Sequence, residues 1–119
     1  MATCCGWLRR PDGAVLLRRR PEQGLLGGMI ELPSTPWRET AWDEREALRA
    51  APATVEWTAL PGTVLHGFTH FRLELAVMAG ATSDAIDGIW AKPEEFGDYA
   101  FPTLTKKLVS HTLSVLKPR

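Results

Sequence analysis

The sequence lacks most of what would announce a metal centre, a disulfide framework or a membrane segment. Its two cysteines, Cys4 and Cys5, are adjacent. On a strand they point to opposite faces, so they suit neither a bridge nor a shared metal. There is no Cys-x-x-Cys or Cys/His ligand spacing, which argues against a zinc site or an iron–sulfur cluster in this chain. A reducing, cytoplasmic setting is the expectation. No apolar run approaches the ~18 residues of a membrane span. The opening stretch through Leu8 is too short for a signal-peptide core, and its arginines follow rather than precede it. Repeats, low-complexity tracts and linker-like stretches are also missing, so the 119 residues are expected to form one domain with one core.

Hydrophobic residues make up 45% and charged residues 24%, the balance of a folded globular chain rather than a disordered one. The formal net charge is zero, but it is unevenly spread. Residues 1–20 carry Arg9, Arg10, Arg18, Arg19 and Arg20 against one aspartate, Asp12. The last stretch adds Lys106, Lys107, Lys117 and Arg119 with no acid. Acidic residues dominate 39–56 and 84–98 between them. Two basic ends are useful to a phosphate backbone if the fold brings them together; otherwise they are solvating surface charge.

Arg10-Pro11-Asp12-Gly13 has turn chemistry and predicts a β-hairpin from residues 3–9 and 14–20. The paired glycines of Leu25-Leu26-Gly27-Gly28 suit a structural loop, too far from a helix N-terminus to cradle phosphate. Thr40, with Asp43 three positions on, predicts a capped helix over about 41–50 that ends at Pro52. A short strand is expected near 55–58 and another over 88–91. Residues 63–79 read as the longest strand-like stretch, with Leu65, Phe71, Leu73, Leu75 and Val77 sharing one parity. Pro102 introduces a terminal helix over 103–116, with Leu104, Leu108, Val109, Thr112, Val115 and Leu116 at core-facing spacing. The fold class is therefore α+β, a mixed sheet flanked by helices. The five tryptophans suit packing better than base stacking.

This order of elements, with the phrase Gly28-Met29-Ile30-Glu31-Leu32-Pro33, resembles the Nudix superfamily and implies its α/β/α sandwich. Working members carry clustered carboxylates on one helix, because a pyrophosphate substrate needs Mg²⁺ to offset its charge. The best match here is Arg45-Glu46-Ala47-Leu48-Arg49-Ala50. Arg49 and Ala50 stand where that pattern has paired glutamates, Trp37 where it has an earlier glutamate, and Glu31 where it has glycine. Asp43, Glu44 and Glu46 remain, as acids do on any solvent-facing helix. The helix reads as scaffold, and neither a metal site nor catalysis is expected in this domain.

Three stretches give a narrower resemblance: Leu16-Leu17-Arg18-Arg19-Arg20-Pro21 continuing through Gly24 to Pro33, His66-Gly67-Phe68-Thr69-His70-Phe71, and Tyr99-Ala100-Phe101-Pro102 with Lys106-Lys107-Leu108. Together they are similar to the C-terminal domain of adenine DNA glycosylases of the MutY type. The resemblance implies that Phe68, Thr69 and His70 form a loop that reads 8-oxoguanine. Thr69, where family members often have serine, both donates and accepts hydrogen bonds. Phe68 would wedge or stack beside the base, and His70 would contact a phosphate or brace the loop. Arg18, Arg20 and Lys106 are candidate phosphate contacts, although Arg18 and Arg20 suit salt bridges equally well. His66 and His70 share a strand face, but no third metal ligand accompanies them.

The same resemblance implies that base excision, with its iron–sulfur cluster, belongs to a separate catalytic domain of the same polypeptide, so the chain would be a C-terminal fragment. The implied partner is double-stranded DNA carrying 8-oxoguanine:adenine mispairs, and the implied location is the bacterial cytoplasm, at the nucleoid. Two other readings remain at this point: a Nudix pyrophosphohydrolase acting on oxidised nucleotides, and a non-catalytic protein-interaction domain.

Overall fold

The computed structural model describes residues 1–116. Lys117 and Arg119, counted above in the basic C-terminal stretch, lie outside the described residues. The elements in chain order are β1 (Ala2–Arg9), β2 (Val15–Arg19), β3 (Ile30–Glu31), α1 (Glu44–Arg49), β4 (Thr58–Ala59), β5 (Val64–Gly67), β6 (Arg72–Ala81), β7 (Ile89–Ala91), a 3₁₀ helix (Pro93–Asp98) and α2 (Thr103–Leu116).

The seven strands form a mixed sheet in the order β3-β2-β1-β6-β4, with β5 also on β6 and β7 also on β2. β1 runs parallel to β6, Ala2 opposite Glu74 through Arg9 opposite Ala81. The other pairings are antiparallel. Alternation along β1 sends Cys4 and Gly6 to one face, where α1 covers them beside Met78 and Trp57. Thr3, Cys5 and Trp7 go to the other face. There they meet Leu75, Leu104 and Leu108 of the α2 layer and the ring of Phe96. The two free cysteines therefore face opposite layers, and the architecture is α/β/α. No described helix is long and apolar enough to cross a membrane.

Local chemistry explains most boundaries. Asp12 Oδ1 accepts from the Ala14 backbone N–H at 3.0 Å, closing the first hairpin at the Pro-Asp-Gly turn. Pro102 precedes α2, whose buried stripe is Leu104, Thr105, Leu108, Val109 and Thr112. Val115 is half-buried and Leu116 exposed, so the core-facing stripe ends a turn early. Gly27 is fixed by close approach: a β-carbon there would overlap the Glu22 carbonyl.

Three sequence expectations are corrected. The helix near 41–50 begins at Glu44, and its cap is Asp43 rather than Thr40, because the Asp43 carboxylate accepts from the Glu46 N–H at 2.8 Å. The strand expected at 55–58 begins only at the last of those residues and runs Thr58–Ala59. The stretch 63–79 is two antiparallel strands rather than one, turning between Gly67 and Arg72. Val64 sits opposite Leu75 and is buried, so Leu65 falls on the other face and is 57% exposed. The turn breaks the parity shared by Leu65 and Leu73 in the sequence.

Candidate nucleic-acid interface

The turn between β5 and β6 is closed by the Phe68 N–H donating to the Phe71 carbonyl at 2.8 Å. That bond leaves Thr69 and His70 at the tip, both exposed. The aromatic residues on either side form its base. Phe68 and Phe71 stack at 4.8 Å between ring centroids, and Trp37 leans on them at 5.7 and 6.2 Å. His66 meets Phe68 edge-on at 4.9 Å. All three large rings pack against the main core. Each such aromatic pair adds about 0.5–1.5 kcal/mol beyond burial, so the tip rests on a rigid footing. Phe68, expected to stack beside a base, is half-buried and serves here as a foot of the hairpin.

The registers of β2 on β1 and of β1 on β6 leave the end of β2 beside the middle of the sheet. The segment bridged to β1 at Cys5–Ser34 and Ala2–Arg38 carries Trp37 from there towards the turn. Arg20 holds its guanidinium 4.9 Å from the Trp37 ring centre. It also reaches Glu31 Oε1 at 2.9 Å, while Arg18 reaches Glu31 Oε2 at 2.7 Å. Glu31 is buried and clamps both cations. Arg19 points the other way and donates to the Gly28 carbonyl at 2.8 Å.

From the other side, Lys107 of α2 places Nζ 3.2 Å from His66 Nδ1. Burial first, and the Lys107 charge second, depress the His66 pKa. The imidazole is thus neutral at pH 7, with Nδ1 accepting from the ammonium and the proton on Nε2. Lys106 lies elsewhere, along a groove with Phe96, Tyr99 and Phe101. The structure therefore brings Phe68, Thr69, His70 and, through Trp37, Arg20 into one region. Arg18 stands behind Arg20 in the Glu31 clamp, and Lys106 faces another groove. Sequence reasoning missed Trp37 and Lys107. Trp37 belongs to no motif, and only the helical phase of α2 separates Lys107 from Lys106.

The Nudix architecture implies a divalent metal on α1, but the residues present do not fit one. Asp43 is used as the cap, and Glu46 is gripped by both Arg38 guanidinium nitrogens at 2.7 and 2.9 Å. Arg38 in turn lies 3.8 Å over the Trp42 ring. The cavity of about 100 Å³ under α1 is lined from that side by Ala47, Leu48, Ala50 and Ala51, which offer no oxygen side chain to a hard cation. No group of three metal-ligating side chains occurs among the described residues.

The Arg38 hydrogen bonds, followed by the Asp43 contact, hold the Glu46 carboxyl down at about 2. A carboxyl whose folded pKa lies below its unfolded value stabilises the fold above the unfolded pKa and loses that contribution as pH falls. The α1 segment is therefore expected to loosen between about pH 4.5 and 2. Carboxyl-carbon NMR checks this: the Glu46 signal should titrate near 2, and a midpoint in the ordinary glutamate range would mean the pair does not form.

The α/β/α sandwich, with its long parallel pair β1–β6 and a helix packed under the sheet, is the architecture expected of a Nudix domain. Residues 4–111 match the NUDIX domain model, and the chain belongs to that family. The human protein named adenine DNA glycosylase is 33% identical over 123 residues, covering 90% of this chain. The chain spans only 22% of that relative's length. Among solved structures, the C-terminal domain of mouse MUTYH, captured in complex with human PCNA, superposes with a TM-score of 0.75 at 26% identity. That match covers 95% of this chain and 87% of the other. The MutT protein of Methanosarcina mazei superposes with a TM-score of 0.79 over 99% of this chain and 96% of its own, at 16% identity, a likeness of fold alone.

Proposed function

We propose that this chain is the lesion-recognition domain of an adenine DNA glycosylase, reading 8-oxoguanine opposite a mispaired adenine, with no catalysis of its own. One observation carries the reading. The Thr69–His70 tip presents a hydroxyl and an imidazole to solvent on an aromatic footing, with Arg20 and Lys107 flanking it. Oxidation turns N7 of guanine into a donor and adds an acceptor at C8, so a residue that both donates and accepts suits the difference. The similarity to human adenine DNA glycosylase supports the context. Its partners are then duplex DNA with 8-oxoguanine:adenine pairs and the catalytic domain of the same polypeptide, working in the bacterial cytoplasm at the nucleoid.

The test compares binding to duplexes containing 8-oxoguanine:adenine and guanine:adenine. Two or three hydrogen bonds at about 1 kcal/mol each predict a preference of roughly 30- to 150-fold. Thr69→Ala combined with His70→Ala should erase that preference while the thermal midpoint stays unchanged, since both side chains are exposed. Equal affinity of the unaltered protein for the two duplexes rules the proposal out.

A second reading, a protein-interaction domain, draws on the mouse relative's capture with PCNA. It predicts no lesion preference at all. Mg²⁺-dependent turnover of 8-oxo-dGTP would instead point to a pyrophosphohydrolase, against the donor set of α1.

A further inference from the structure

Beside the hairpin lies a groove of about 610 Å³ between the end of β2 and the segment 34–37, whose walls include Arg18, Arg19, Arg20 and Trp37. Two of the side chains that face it, Arg18 and Arg20, are permanently cationic, and its single acid, Glu31, is buried and bound by both. The groove therefore presents net positive charge to solvent. It is also wired to the hairpin. Arg20 lies over one part of the Trp37 ring system, and Trp37 contacts both Phe68 and Phe71.

We propose that this groove seats the phosphodiester backbone of the strand whose base is read at the hairpin tip, and that Trp37 is the positioning residue joining the two. The inference deepens the recognition reading above and rests on the chain binding DNA. Arg18 and Arg20 supply charge to the phosphates. The Glu31 clamp fixes Arg18 and Arg20 so that little side-chain freedom is lost on binding. Trp37 fixes the distance between a backbone lying in the groove and a base lying at Thr69–His70. Such contacts add affinity and register without reading sequence, so they act on damaged and undamaged duplexes alike.

Charge elsewhere on the molecule provides the control. Arg9 pairs with Ala81 at the far end of β6, whereas the hairpin opens before Arg72. Nine residues of strand put Arg9 on the order of 30 Å from the turn.

The experiment measures the affinity of the 119-residue chain for both duplexes across a range of salt. Arg18→Ala and Arg20→Ala should each weaken binding to the two duplexes by the same factor, several-fold at moderate salt. Each should also reduce the slope of log affinity against log salt by about one. Arg18→Lys should restore the slope, because a point charge suffices for phosphate. Arg9→Ala should change neither quantity. Trp37→Ala should lower both general affinity and lesion preference, whereas Trp37→Phe should retain most of each.

The proposal is overturned if Arg9→Ala weakens binding as much as Arg18→Ala, which would mean diffuse attraction. It is equally overturned if the groove variants leave affinity and slope unchanged, or if the chain binds neither duplex. Loss of lesion preference alone, with the groove variants still lowering affinity, would sink the reading of the tip and leave the groove standing. Thermal melts of every variant separate these outcomes from unfolding.

Discussion

Leu108→Ala is expected to lower the unfolding free energy by about 3 kcal/mol, within the ~2–5 kcal/mol span of buried leucine truncations. Leu108 is 2% exposed at the centre of α2 and faces the layer of Thr3, Cys5 and Leu75. A small void already exists there, bordered by Thr105, whose hydroxyl has no hydrogen-bond partner among the described residues. Truncation enlarges that void next to a polar atom, so the site relaxes poorly unless water enters. In a chain of this size the thermal midpoint should fall by roughly 10 °C. Urea unfolding of the two proteins checks the value. A loss under 1 kcal/mol would mean that α2 does not dock on the sheet as described.

Glu31→Ala is the second large effect, and it tests the site as well as the fold. The substitution strands two guanidinium groups, one of them, Arg20, only 19% exposed in its side chain. Removing one partner of a fully buried pair costs about 3–5 kcal/mol. Because the Arg18 side chain is 48% exposed, we expect about 2–3 kcal/mol here. Glu31→Gln, which keeps the shape and sheds the charge, should fall between the two. Chemical denaturation gives the stability. Tryptophan fluorescence reports whether Trp37 moves when Arg20 is released from its carboxylate. Near-neutral stability would show that the arginines are as comfortable in water as in the clamp.

The sequence carried the parts of this architecture that short-range chemistry dictates. Pro11-Asp12-Gly13 announced the first hairpin, Pro102 the start of α2, and the alternation of β1 the opposite facing of Cys4 and Cys5. The second hairpin was hidden because its turn is Phe68-Thr69-His70-Phe71, with glycine only at the edge and no proline or aspartate to mark it. Two aromatic residues at turn positions read as strand, since their packing on Trp37 is tertiary information. The helix cap moved from Thr40 to Asp43 because both residues qualify locally, and the Arg38–Glu46 pair selects the later start. At the candidate site, the Phe-Thr-His triplet was visible as a motif, whereas its surroundings were not. The meeting of Arg20 with the turn depends on Trp37, carried along β1 by the Cys5–Ser34 and Ala2–Arg38 bridges, and that of Lys107 on the phase of α2. Neither follows from spacing along the chain.

The Phe68–Phe71 stack has a consequence for how such a domain changes over generations. Because the ring pair and Trp37 fix the shape of the turn, the two residues above it carry almost none of the load of folding. Positions 69 and 70 are therefore free to vary in a way that positions 68 and 71 are not. A lineage altering only those two letters can change what the tip presents to a ligand while every intermediate remains folded. A library randomised at the pair should accordingly yield mostly soluble protein with widely differing preferences.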